Sequence, residues 1–244
     1  MSLLSIVIPI YNEQATLEPI VRQVQSVNFP PGWKIELILV DDASSDTTPK
    51  IISKLNKEFT NISNLKNERN LGKTQTVKQG ILKSQGDFVI VQDADLEYDP
   101  REISEMLQKA INENLDVIYG NRFGHRNKVI YWQNFIGNKF VSLVSNLFTY
   151  PRIGTWIPDM ETCYKLIKGD VARDIATQIT ATSNFGFEPE VTARLARFHR
   201  SGEHLRFGIL PIHYNPRTVS EGKKIKVLRD GTKAVCEVIY YNLF

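Results

Sequence analysis

VIVQDADLEYDP, Val89 to Pro100, is an apolar run that ends in a burst of carboxylates. Phe88–Val91 has the pattern of a buried strand, and after Gln92 come Asp93, Asp95, Glu97 and Asp99. Carboxylates this close repel one another and raise each other's pKa, so a counter-charge is expected. Asp99 before Pro100 suits a helix start, an acidic cap followed by the residue whose fixed φ fits the first turn. Asp93 and Asp95 stand two apart at the end of a strand and so can point the same way. A few hard oxygen donors suit Mg2+ or Mn2+ completed by substrate phosphates. A solvated acidic loop is the plainer alternative.

Working outward, the first half alternates. Strand patterns at Ser5–Ile10, Ile35–Val40, Ile62–Lys66, Asp87–Gln92 and Asp116–Tyr119 are separated by helical spacing at Ala15–Val27, Thr48–Phe59, Lys73–Ser84 and Pro100–Asn114. Such alternation predicts an α/β fold, a mostly parallel sheet with helices on both faces. Ligands of such sheets bind beyond the carboxyl ends of the strands, here Tyr11–Glu13, Asp41–Asp42, Gln92–Asp95 and Gly120–Arg122. The second half predicts a long helix over Lys128–Phe148, strands at Cys163–Ile167 and Leu205–His213, and helices over Glu188–Phe198 and Ile225–Asn242. No linker divides the 244 residues, so one domain is expected, 1–122 binding nucleotide and 123–244 facing the acceptor.

Composition narrows the class. With 42% hydrophobic and 23% charged residues the chain is an ordinary globular one, and a net charge of +3 gives no case for nucleic acid. Two cysteines make no disulfide framework, which points to a reducing compartment. No run of about 18 apolar residues exists, so no bilayer span is expected, and the N-terminus reads as a first strand rather than a signal peptide.

Other stretches carry competing readings. Asp41 and Asp42 end the second strand where nucleotide-binding folds place a carboxylate on base or ribose, while Ser45 or Asp46 suits a helix cap. Asn70-Leu71-Gly72-Lys73-Thr74 looks like part of a phosphate loop, but Asn67 stands where the first glycine is needed. Val117 to Pro158 holds no Asp or Glu, and its long helix has an apolar arc wider than a core stripe needs. That helix is either deeply buried or seated in a membrane interface with its cations toward anionic lipid. Arg217–Lys226 has four cations and reads as a solvated loop or a basic clamp over a diphosphate.

In this order SIVIPIYNE (Ser5–Glu13), LVDDASSD (Leu39–Asp46), NLGK (Asn70–Lys73), QDADLEYDP (Gln92–Pro100), YGNRF (Tyr119–Phe123), DMETCYKL (Asp159–Leu166), GFEPEVTARLAR (Gly186–Arg197) and YNPRTVSEGKKI (Tyr214–Ile225) resemble family 2 glycosyltransferases of the GT-A fold, in particular the dolichyl- or polyprenyl-phosphate mannose and glucose synthase group. The resemblance implies a donor pocket of Pro9, Tyr11, Glu13, Asp41, Asp42 and Lys73, with Asp93 facing the donor. It implies Mg2+ or Mn2+ on Asp95 and Glu97, where many relatives have Gln at the latter position. Arg122 would meet a phosphate, Arg217 and Lys223 would close over the diphosphate, and Asp159 would orient acceptor or sugar. Gln133, Asn134 and Asn138 stand where relatives often place an arginine and a serine for the lipid phosphate.

The reaction so implied is inverting transfer of a hexose from a nucleotide diphosphosugar, of GDP-mannose or UDP-glucose type, to a polyprenyl phosphate. It would occur at the cytoplasmic face of a membrane, with peripheral attachment. A hydroxyl acceptor would need a base, for which Asp159 or Glu161 would serve; a phosphate would not, since its second pKa is about 6. The rivals are a cytosolic transferase for a saccharide or protein, a phosphate-loop NTPase, and a non-catalytic nucleotide-sugar binder.

Overall fold

The computed structural model describes the chain apart from Lys128, Ile130, Tyr131, Asn184, Phe185, Ser201 and residues 218–226, with 227–231 described by backbone alone. The first half is β1 (Ser2–Ile10), α1 (Leu17–Gln25), β2 (Trp33–Asp41), α2 (Thr48–Glu58), β3 (Ile62–Lys66), α3 (Lys73–Lys83), β4 (Phe88–Val91), α4 (Arg101–Glu113) and β5 (Val117–Asn121). The second half is α5 (Trp132–Ile153), β6 (Lys165–Lys168), α6 (Gly169–Gln178), α7 (Phe187–Arg197), a small hairpin of β7 (His199–Arg200) and β8 (Glu203–His204), β9 (Phe207–Pro211) and α8 (Val227–Leu243).

Seven strands form one sheet in the order β3-β2-β1-β4-β6-β5-β9. The pairs β3–β2, β2–β1, β1–β4 and β5–β9 are parallel, whereas β6 runs antiparallel to both β4 and β5. The central strands are buried on both faces, with Ile6, Val7, Ile8, Leu37, Ile38 and Leu39 inaccessible. That is why they read as continuous apolar runs rather than alternating ones. α1 buries Leu17, Ile20, Val21 and Val24 at helical spacing against the sheet.

Several boundaries differ from the sequence reading. β4 is shorter than expected, although Asp87 and Gln92 still donate their N–H groups to Leu3 and Val7 of β1. α5 runs past Phe148 to Ile153, with Pro151 in its last turn. α6 was not anticipated, because its buried face of Val171, Ala172, Ile175 and Ala176 is short and half alanine. Because all strands but β6 share one direction among neighbours, β1, β2, β4 and β5 deliver their carboxyl ends to one edge of the sheet.

Candidate active site

The loops leaving β1 and β2 are sewn together. Asn12 donates its backbone N–H to Ser44 Oγ at 2.9 Å and accepts from the Ser45 N–H at 2.8 Å. Glu13 N–H reaches Thr48 Oγ1, and the Asp46 carboxylate accepts the first-turn N–H of Thr48, the capping expected of it. Asn12, Ala43 and Leu96, which follow β1, β2 and β4, all have φ near +60°. Left-handed backbone costs a residue with a side chain about 1–2 kcal/mol, so these turns persist only where their surroundings impose them. Pro9, Tyr11 and Glu13 lie along this edge, Tyr11 being exposed.

Asp41 and Asp42 are both buried beneath the edge. Asp41 accepts the Ser44 N–H, which shapes the β2 turn. Asp42 accepts from the N–H groups of Leu71 and Gly72 at 2.8 and 2.9 Å and from the Asn67 amide at 2.7 Å. A phosphate loop needs those N–H groups aimed at phosphate. Here a carboxylate already holds them, and Gly72, with φ +84°, opens α3 by closing on Asp42. The phosphate-loop reading fails on this geometry. Asp42 instead sets the loop that presents Lys73.

The counter-charges for the acidic turn are Lys73 and Arg217. Lys73 Nζ lies 2.7 Å from Asp93. Burial works to raise the Asp93 carboxyl, but Lys73 outweighs it and the net shift is downward. Arg217 Nη2 lies 2.8 Å from Asp95, and its backbone N–H donates to Glu97 at 2.9 Å. Glu97 also accepts from the Tyr214 hydroxyl at 2.5 Å. Even so, burial and then Asp93 and Glu97 push the Asp95 carboxyl up to about 7. Among the described residues, Lys73 and Arg217 are the cations paired with these three carboxylates, and even beside them the Asp95 carboxyl stays raised. An all-oxygen cluster in that condition fits a hard divalent cation. Asp99 does what its position implied, accepting the N–H of Arg101 at the start of α4.

Across the edge, Arg122 and Asp159 form a buried bidentate pair. Nε and Nη2 of Arg122 lie 2.7 and 2.8 Å from the two Asp159 oxygens, and the Arg122 N–H adds a third bond. Asp159 is wholly buried. Glu161 stands near Glu188, and burial with that neighbour pushes its carboxyl up to about 8. Three tyrosines that sequence reading missed connect the two clusters. The Tyr98 ring lies 4.6 Å from that of Tyr164 and 5.2 Å from that of Tyr214, both tilted, and the Arg122 guanidinium sits over the Tyr214 ring at 5.1 Å. They stand far apart in the sequence, at positions 98, 164 and 214, so no local pattern marked them as a group.

α5 packs against α7 and α8. Trp132, Ile136, Phe140, Leu143, Leu147 and Tyr150 are all exposed, at the spacing of one helix face. The stripe is about 27 Å long at 1.5 Å per residue. Its opposite face buries Val141, Ser142, Ser145, Asn146 and Thr149, so the helix is half core and half surface, between the two readings of its sequence. Lys139 lies over Phe135, and Arg152 is exposed in the last turn. Among the described residues no helix is long and apolar enough to cross a membrane. Lys223, expected to close over a diphosphate, lies outside the described residues.

Residues 5–176 match the glycosyl transferase family 2 domain. The chain is 35% identical over 122 residues to dodecaprenyl-phosphate galacturonate synthase of Rhizobium johnstonii, covering 49% of this chain and 36% of that protein. It is 28% identical over 220 residues to undecaprenyl-phosphate 4-deoxy-4-formamido-L-arabinose transferase of Salmonella paratyphi B, covering 90% of this chain and 62% of that protein. The chain therefore spans less than two thirds of the length of either relative. Among solved structures, glucosyl-3-phosphoglycerate synthase from Mycobacterium tuberculosis with Mn2+, uridine diphosphate and phosphoglyceric acid superposes with a TM-score of 0.67 at 15% identity, over 99% of this chain and 78% of that one. Staphylococcus aureus TarS with UDP-GlcNAc gives 0.60 at 15% identity, over 100% and 73%. At that identity the likeness is one of fold, and the fold is GT-A.

Proposed function

This chain belongs to glycosyl transferase family 2, and from that premise we propose that it transfers a hexose from a nucleotide diphosphosugar to a polyprenyl phosphate at a membrane surface, with inversion at the anomeric carbon. The observation that carries the phosphate acceptor is the state of the two carboxylates that could have served as base. Both Asp159 oxygens are engaged by Arg122, and burial beside Glu188 pushes the Glu161 carboxyl up to about 8. A hydroxyl nucleophile would need a base there. A phosphate monoester, with a second pKa of about 6, arrives already ionised.

The donor lies along the edge formed by the ends of β1, β2 and β4, with Pro9, Tyr11 and Glu13 beside the nucleotide. Asp41 and Asp42 act from beneath by fixing the loops. Asp95 and Glu97 would hold Mg2+ or Mn2+, with Asp93 facing the donor, and the ion would neutralise the charge that develops on the departing nucleoside diphosphate. Arg217, paired with Asp95 and Glu97 in this structure, would turn to the diphosphate, and Lys223 would add a second cation. Lys73 keeps Asp93 ionised and aimed at the donor. Arg122, oriented by Asp159 and Tyr214, holds the acceptor phosphate in line with the anomeric carbon. One phosphate oxygen forms the new bond to that carbon as the bond to the diphosphate oxygen breaks.

The exposed stripe of α5 seats in the lipid interface, with Lys139 and Arg152 toward anionic headgroups. Attachment is peripheral and on the cytoplasmic face. The relatives' names support a polyprenyl-phosphate acceptor. Polyprenyl phosphate and the corresponding polyprenol, offered in the same liposomes with a panel of nucleotide sugars, test this reading. Transfer is expected to the phosphate alone. Equal transfer to the alcohol, or to a soluble saccharide, would overturn it.

A further inference from the structure

We propose that Glu102, His125 and His213 form a second divalent-cation site, one that takes a borderline ion of the Zn2+ type and shares no residue with the carboxylates at the end of β4. Glu102 lies in the first turn of α4, His213 just beyond β9, and His125 in the loop after Arg122. Their ligand atoms all lie within 4.8 Å of one another.

The chemistry of Glu102 points to a ligand. Its side chain is buried, yet only one oxygen is engaged: Oε1 accepts the backbone N–H of His213 at 2.5 Å and faces His213 Nδ1 at 2.8 Å. Oε2 is buried, and among the described residues it has no hydrogen-bond partner. A carboxylate present only to cap the His213 backbone would not need a second imidazole beside it. With Oε1 kept on the backbone, Oε2 and the two rings supply three donors, and the bond through Oε1 fixes the carboxylate's orientation.

A carboxylate with two imidazoles suits Zn2+ or Co2+ better than Mg2+, the reverse of the all-oxygen cluster at Asp93 and Asp95. His213 also lines a cavity of about 610 Å3, together with Gln23, Ser26, Glu97, Arg126 and Asn127. In the free protein the two rings stack at 4.2 Å with planes 14° apart. An ion in the plane of one ring then lies off the other, so His125, which is exposed, turns its ring edge toward Glu102 on binding. The ion would clip the loop after Arg122 to the segment leading to Arg217, and so join both phosphate-facing arginines to α4.

Tag-free protein in excess Mg2+ is titrated with Zn2+ against a chromophoric chelator, and with Co2+ to read its visible absorption. One equivalent is expected to be retained, with a Co2+ spectrum of low-coordinate, imidazole-bound type. Affinity should fall about tenfold or more in His125→Ala and His213→Ala and stay unchanged in Asp95→Asn. Both histidines are exposed, and matching thermal melts would establish that the variants fold. No retained ion, variants that bind as wild type does, or loss confined to Asp95→Asn would each overturn the proposal.

Discussion

At Asp95 the carboxyl is pushed up to about 7 by burial and by its acidic neighbours, which couples metal affinity to pH. A protonated carboxyl is a poor ligand, so Mn2+ affinity should climb about tenfold per pH unit up to 7 and level off above it. Titration of Mn2+ by electron paramagnetic resonance checks this, and a flat profile would contradict it. The same shift acts on stability. A carboxyl whose folded pKa lies above its unfolded value stabilises the metal-free protein at low pH, and that contribution fades as pH rises through 7. Stabilisation by added metal should therefore grow with pH. Asp159 offers the complementary test. Removing one partner of a buried ion pair costs about 3–5 kcal/mol, so urea denaturation of Asp159→Ala should show a loss of that order. Asp159→Asn should lower turnover yet leave its pH dependence intact, because the residue orients Arg122 rather than accepting a proton. Disappearance of the acidic limb of the profile would reassign it as the base.

At the scale of elements, α5 divides its labour between two faces. Among the described residues, the stripe from Trp132 to Tyr150 is left exposed. Burying an apolar side chain is worth about 1.5–3 kcal/mol, so Ile136→Asp with Phe140→Asp should weaken flotation on anionic liposomes by at least about tenfold. Both residues are exposed, so binding of nucleotide sugar should not change; unchanged flotation would remove α5 from the membrane account. α7 shows the opposite use of a charged residue. Glu190 is fully buried and accepts from the N–H groups of Thr180 and Ala181 and from Arg194. It thereby pins the segment that receives Thr74, Gln75 and Lys78 of α3. Glu190→Ala should destabilise by about 3–5 kcal/mol in the same denaturation assay. The motif GFEPE is therefore partly scaffold.

Across the whole molecule, legibility followed distance along the chain. β1 to β5 were readable because centrally buried strands leave continuous apolar runs and their helices keep one apolar face. The strand that became β6 was expected at Cys163–Ile167, but its reversed direction was not, because its partners β4 and β5 are chosen by pairings far away in sequence. In the site, the carboxylates announced themselves at strand ends. Their counter-charges did not: Lys73 lies 20 residues from Asp93, and Arg217 lies 122 from Asp95. The resemblance of YNPRTVSEGKKI brought Arg217 to the site, but not its pairing with Asp95. Asp42 looked like a nucleotide ligand because its place at a strand end is the same; only the fold shows its oxygens turned to Leu71 and Gly72. The most direct test of the central claim is a donor screen with polyprenyl phosphate in liposomes and Mg2+ or Mn2+. GDP-mannose, UDP-glucose and related donors carry the label, which is followed into the lipid phase. Metal-dependent label in the lipid with at least one donor is the predicted result; no lipid-linked product with any pairing would contradict it.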